Sequence, residues 1–135
     1  MKRFVIERGS TALDRLVRRE DVVATATVAY AEAYAGLTRR RRDGSLSAAG
    51  YARACRHFER DWSGLLRVEL SPHVLERARE VIQRRGLRGF DGIHLASALV
   101  LQTELHETLS LVGADDRLLR AAEAEGMTVI DIEAV

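Results

Sequence analysis

With 135 residues, 21 Lys and Arg against 20 Asp and Glu, and a formal net charge of +1, the chain is neither a polybasic tail nor an acidic disordered segment. A hydrophobic fraction of 47% and a charged fraction of 30% describe a globular protein, and the length predicts one domain over residues 1–135. Cys55 stands alone, which excludes an intrachain disulfide, predicts a small core residue and suits the cytoplasm, the expected location; no apolar run approaches the roughly 20 residues of a spanning helix.

In chain order, MKRFVIERGS offers only Phe4, Val5 and Ile6 as consecutive apolar residues before charge returns. That is too little for a signal peptide, and no strand is expected ahead of the first helical pattern. Ser10 is a candidate N-cap for a helix bearing Leu13, Leu16 and Val17. A buried strand is predicted over 22–28 (VVATATV), followed by the helical stretch AYAEAYAGL, which carries Glu32 and ends in Arg39, Arg40, Arg41 and Arg42. After Gly44, Ser47 caps a helix with Tyr51, Ala54, Cys55, Phe58 and Trp62 at helical spacing, read as core or dimer surface. A strand over 65–70 leads to Ser71-Pro72, where a capping hydroxyl precedes the proline that a first helical position tolerates. Val74, Leu75, Ala78, Val81 and Ile82 form the apolar face of that helix and Gly86 ends it. Asp91 then precedes the apolar helix GIHLASALVL. The last unit is a strand over 108–113, a tight Ala114-Asp115 turn, a helix over 116–124, Gly126 and a strand over 128–132.

Strands separated by helices of this length need crossover connections, which are right-handed in nearly all cases. The expected architecture is therefore α/β, a three-layer α/β/α domain with a parallel, Rossmann-like sheet. In such sheets ligands bind outside the carboxyl ends of the strands. Glu32, Asp91 and Asp115 each sit where a helix begins or a strand hands over to one, so all three are expected on that rim as a divalent-cation site. Each has a plainer reading: Asp91 and Asp115 as helix N-caps, and Glu32 as the partner of a neighbouring arginine. Arg39, Arg40, Arg41 and Arg42 suit the carbonyl end of their helix, and clustered arginine also suits phosphate or carboxylate on a partner. His94, one turn beyond Asp91, could touch a metal shell.

The patterns AYAEAYAGL, GFDGIHLASAL and LVGADDRLLRAA, in this order and over essentially the whole chain, resemble the PIN domain, particularly the VapC-type toxin nucleases of bacterial toxin–antitoxin pairs. The most specific part is the Asp-x-Ile-His-Leu-Ala helix start followed by a strand ending Val-x-Ala-Asp. The resemblance implies a metal-dependent endoribonuclease whose acids, here Glu32, Asp91 and Asp115, bind Mg²⁺ or Mn²⁺ and serve catalysis. It implies RNA as substrate, a cognate antitoxin as partner, a homodimer, and a packed structural role for His94. Two departures stand out. Gly113 replaces the family's usual Thr or Ser, and Met1 falls at the Val of the family's opening Asp-Thr-Ser-Ala-Leu-Val-Lys-Arg-Phe. The expected domain is thus N-terminally truncated, with its central strand and first acid absent and the true start expected upstream of Met1. The alternatives are a catalytically inactive or truncated PIN module that acts only as a protein-binding domain, or an unrelated α/β interaction domain whose acids are caps.

Overall fold

A computed structural model describes residues 3–6 and 22–131. Five parallel strands form one sheet in the order β3-β2-β1-β4-β5. They are β1 (Arg3–Ile6), β2 (Val22–Ala26), β3 (Leu66–Val68), β4 (Ser110–Gly113) and β5 (Thr128–Asp131). The helices of the described residues are α1 (Val28–Arg42), α2 (Ala48–Ser63), α3 (Pro72–Arg85), α4 (Gly89–Leu105) and α5 (Asp116–Ala124).

The expectation that no strand precedes the first helical pattern is corrected by β1, which lies at the centre of the sheet. Val5 stands opposite Ala24 of β2 and Leu111 of β4, and Ile6 opposite Thr25 and Val112. Three apolar residues between charges look like loop in sequence, yet a parallel strand buried on both faces needs only a short continuous apolar run when its neighbours are as short. Val5 and Ile6 are 2% and 1% exposed, so both faces of this strand are core. The next residue in sequence, Glu7, and the predicted Ser10-capped helix lie outside the described residues.

Alternation along the strands builds the layers. Val5, Ala24 and Leu111 share one core with Leu95 and Leu99 of α4 and Leu118 and Ala122 of α5. Ile6, Val23 and Val112 share another with Leu65, against which Trp62 of α2 packs. The two faces are therefore covered by different helices, giving the three layers.

Local signals set the helix boundaries. Ser47 Oγ accepts from Gly50 N at 3.0 Å and Ser71 Oγ from Val74 N at 3.2 Å, as the two predicted caps require. Gly86 takes φ 67° just past α3, a conformation that costs a side-chain-bearing residue steric strain. Gly92 has a different role: a Cβ there would lie 2.3 Å from Ile82 Cγ1, so its absence lets α3 and α4 pack closely. Cys55, expected in the core, is only half-buried.

The strand order places a topological switch at the sheet centre. From β1 the chain builds outward to β2 and β3, then returns to the other side of β1 for β4 and β5. The carboxyl ends at such a reversal bound a crevice. α1 leaves the end of β2 and α5 the end of β4, while α4, which feeds β4, must run back along it. The first turns of all three helices consequently meet that rim.

Candidate active site

Asp115 is the N-cap of α5, and the plain reading holds as far as it goes. Its Oδ1 accepts from Arg117 N at 2.9 Å and Leu118 N at 3.3 Å. Such a cap uses one carboxylate oxygen for two otherwise orphaned donors. Asp91 departs from the plainer reading as a cap. The N-cap of α4 is Arg88, with no side-chain capping bond, and Asp91 is the third helical residue, 7% exposed. A carboxylate is rarely buried without a partner or a purpose, and the first turn of a helix favours the negative charge.

Asp91 and Asp115 line the same cavity, of about 590 Å³, bounded by the first turn of α4, the start of α5 and the end of α3. Four arginines line it as well: Arg85, Arg88, Arg117 and Arg120. Arg120 is tied to Asp116 at 2.9 Å and Arg85 to Glu125 at 2.8 Å, whereas no ion pair of Arg88 or Arg117 is seen among the described residues. Asp91, Asp115 and Asp116 thus share one cavity with four arginines.

Glu32 is placed differently from the expectation. It lies one turn into α1, and its Oε1 meets His94 Nε2 of α4 at 2.5 Å; among the described residues no arginine is seen to pair with it. His94 is 2% exposed and its Nδ1 finds no hydrogen-bond partner, so Nε2 is the nitrogen that bears the proton Glu32 accepts. The packed role expected for His94 is met, and it is the residue that anchors Glu32 one helical turn from Asp91. Glu32 does not line the cavity with the two aspartates, and among the described residues no group of three or more His, Cys, Asp or Glu side chains is gathered to hold an ion. The structure brings together two of the three acids and joins the third to the same helix through histidine.

Sequence reasoning overlooked Thr25 and the arginines of the cavity. Thr25 is buried in β2 and its Oγ1 donates to Ile6 O at 2.9 Å, satisfying a carbonyl at the end of the central strand. The signal was available, since Thr25 and Thr27 are the polar residues in a run otherwise made of Val and Ala. Arg88 and Arg117 carried no spacing signal, because the fold alone brings the two helix starts together.

Arg39, Arg40, Arg41 and Arg42 form the last turn of α1, exposed, where cations suit the helix dipole. Arg39 and Arg42 line a second cavity with Tyr34, Thr38 and Asp43, which shares no residue with the first. Near it, Tyr30, Tyr34, Phe58 and Trp62 form an aromatic cluster, with the Tyr30 centroid 5.1 Å from that of Trp62 and 5.2 Å from that of Tyr34. The Glu59 carboxylate accepts from both tyrosine hydroxyls, which raises both phenol pKa values and lowers its own.

Residues 5–124 match the model of the PIN domain family. Ribonuclease VapC45 and Ribonuclease VapC49 of Mycobacterium tuberculosis, from strains CDC 1551 and H37Rv, are each 32% identical over 129 residues, covering 96% of this chain and 88% of theirs. Among solved structures, PAE2754 from Pyrobaculum aerophilum superposes with a TM-score of 0.70 at 23% identity, over 99% of this chain and 85% of its own. The VapBC-1 structure from nontypeable Haemophilus influenzae gives 0.61 at 12% identity, over 97% and 98%. The fold, the family match and the two ribonuclease relatives agree: the chain belongs to the PIN domain family.

Proposed function

We propose that the protein is a toxin-type endoribonuclease that hydrolyses RNA phosphodiesters with a divalent cation, restrained in the cytoplasm by a small antitoxin protein. The observation that carries this reading is the pairing of Asp91 with Asp115 in one cavity at the carboxyl rim of the sheet. Mg²⁺ takes oxygen ligands and keeps several waters, so one or two carboxylates suffice, and Mn²⁺ accepts the same donors. These two residues fit that demand and would hold the ion. Bound there, the ion supplies a nucleophile from water at neutral pH and offsets charge on the phosphoryl oxygens. Asp115 also fixes the start of α5, while Glu32, held by His94, adds negative charge beside the first turn of α4. Arg88 and Arg117 offer cations to the flanking phosphates.

The basic end of α1 lies on a cavity separate from the aspartates, which supports assigning Arg39, Arg40, Arg41 and Arg42 to an acidic segment of the antitoxin rather than to RNA. Homodimerisation belongs to the same proposal. The test is cleavage of a labelled single-stranded RNA by purified protein. Cutting in Mg²⁺ or Mn²⁺, its arrest by a chelator, and a fall on the order of hundredfold or more in Asp91→Asn are expected. Undiminished cutting by Asp91→Asn, or in chelator, would overturn the reading.

A further inference from the structure

Phe90 is the most exposed large apolar side chain of the described residues, 58% accessible, and it directly precedes the buried Asp91 in the first turn of α4. Helix packing gives no reason for it. From Asp91 onward α4 is buried almost continuously, whereas Arg88, Gly89 and Phe90 are all exposed. A Cβ at the neighbouring Gly89 would also meet nothing within 4 Å. Leu66, Leu70 and Leu75 are also exposed, but none lines the cavity or adjoins a residue that does so in the way Phe90 adjoins Asp91.

We infer that Phe90 is a stacking platform for one unpaired base of the RNA substrate, with Arg88 and Arg117 holding the phosphates on either side. This rests on the ribonuclease reading and adds how the strand is gripped. Three features select a single-stranded nucleic acid over another occupant. The exposed ring offers a face to a base, Arg88 and Arg117 supply charge complementary to a phosphate backbone, and both border the carboxylates assigned to the chemistry. Aromatic stacking combined with a cationic track is how single strands are bound with little sequence preference, since every base has a π-face. A protein partner attracted by the arginines alone would make no use of the exposed ring that directly precedes Asp91. Trp62 and Phe58 pack against Tyr30 and are occupied within the fold.

The test is fluorescence anisotropy of a labelled single-stranded RNA decamer in chelator, where binding is read without cutting, with the full chain. Phe90→Ala is expected to weaken binding about tenfold, Phe90→Leu similarly, and Phe90→Trp to restore it. A decamer abasic at the stacked position should bind wild type and Phe90→Ala alike. Arg88→Gln and Arg117→Gln should each flatten the dependence of log affinity on log salt by about 0.7. Because Phe90 is exposed, these variants should melt as wild type does, and the Leu and Trp variants separate lost stacking from lost folding. Wild-type RNA binding that Phe90→Ala leaves within twofold would overturn this inference alone. So would a changed oligomeric state with unchanged RNA affinity, which would assign the ring to contact between copies. A wild-type protein that neither binds nor cuts RNA would overturn the ribonuclease reading together with it.

Discussion

Glu32 and His94 show how one contact can be separated into structure and function. The carboxylate accepts from Nε2 at 2.5 Å, and an amide oxygen in the same place would accept too. Glu32→Gln is therefore expected to change stability by no more than about 1 kcal/mol while reducing RNA cleavage, because the negative charge beside Asp91 is gone. Unchanged cleavage would remove Glu32 from the site. His94→Ala is expected to cost about 2–4 kcal/mol, since it opens a cavity at a residue 2% exposed and strips Glu32 of its donor. Urea denaturation of the two variants gives the comparison, and equal stabilities would contradict the anchoring role. The sequence shows Glu32 in the helical stretch AYAEAYAGL, but not that its partner is a histidine 62 positions away. Contacts of that range belong to the fold.

Among the elements, the α3–α4 pair governs where Asp91 sits. Gly92 follows Asp91 and brings α4 against Ile82 of α3, so Gly92→Ala forces a methyl to within 2.3 Å of Ile82 Cγ1. Overpacking of this kind costs about 1–3 kcal/mol, and a second change, Ile82→Ala, should recover part of it. Additive losses in the double variant would show that the two residues do not compete for space. The same end of α3 is tied to the end of α5 by Glu125, whose carboxylate meets Arg84 Nε at 2.9 Å and Arg85 Nε at 2.8 Å. The hydrogen bond from Arg84, with that from Arg85 and their charges, holds the Glu125 pKa below the usual range. A depressed carboxylate pKa contributes stability above the unfolded value and loses it as pH falls through the folded one. Glu125→Gln should thus cost about 1 kcal/mol at neutral pH, a figure kept small because both arginines are partly exposed. The difference should shrink steadily as pH falls below the ordinary glutamate value of about 4, and a difference that stayed constant to low pH would rule out the ionic account.

At the scale of the whole molecule, the parallel three-layer fold and the helix starts were legible because each rests on local chemistry. Ser47 and Ser71 are capping hydroxyls, Gly86 and Gly126 take positive φ, and strands β2 to β5 follow their apolar runs. The central strand was not legible. Its evidence in sequence is Phe4, Val5 and Ile6, too short to distinguish from loop, and only pairing with β2 and β4 on both sides makes it a strand. The candidate site was legible in part. Asp115 fell at its strand-to-helix turn, and Asp91 at the start of its helix, though as third residue and not as cap. The arginines of the cavity escaped notice because Arg88 and Arg117 meet only after α4 and α5 have docked on the same sheet edge.

Asp115 both caps α5 and, in this account, serves the chemistry, so the most direct measurement separates the two. Asparagine caps a helix about as well as aspartate, its side-chain oxygen replacing Oδ1 toward Arg117 N and Leu118 N. We would measure the melting temperature of Asp115→Asn and its rate of RNA cleavage in Mn²⁺ on the same preparation. A melting temperature close to wild type is expected, with cleavage lower by a factor on the order of a hundred or more. Cleavage equal to wild type at unchanged stability would mean that Asp115 is a cap and nothing else, and that the carboxylate pair is not the catalytic centre.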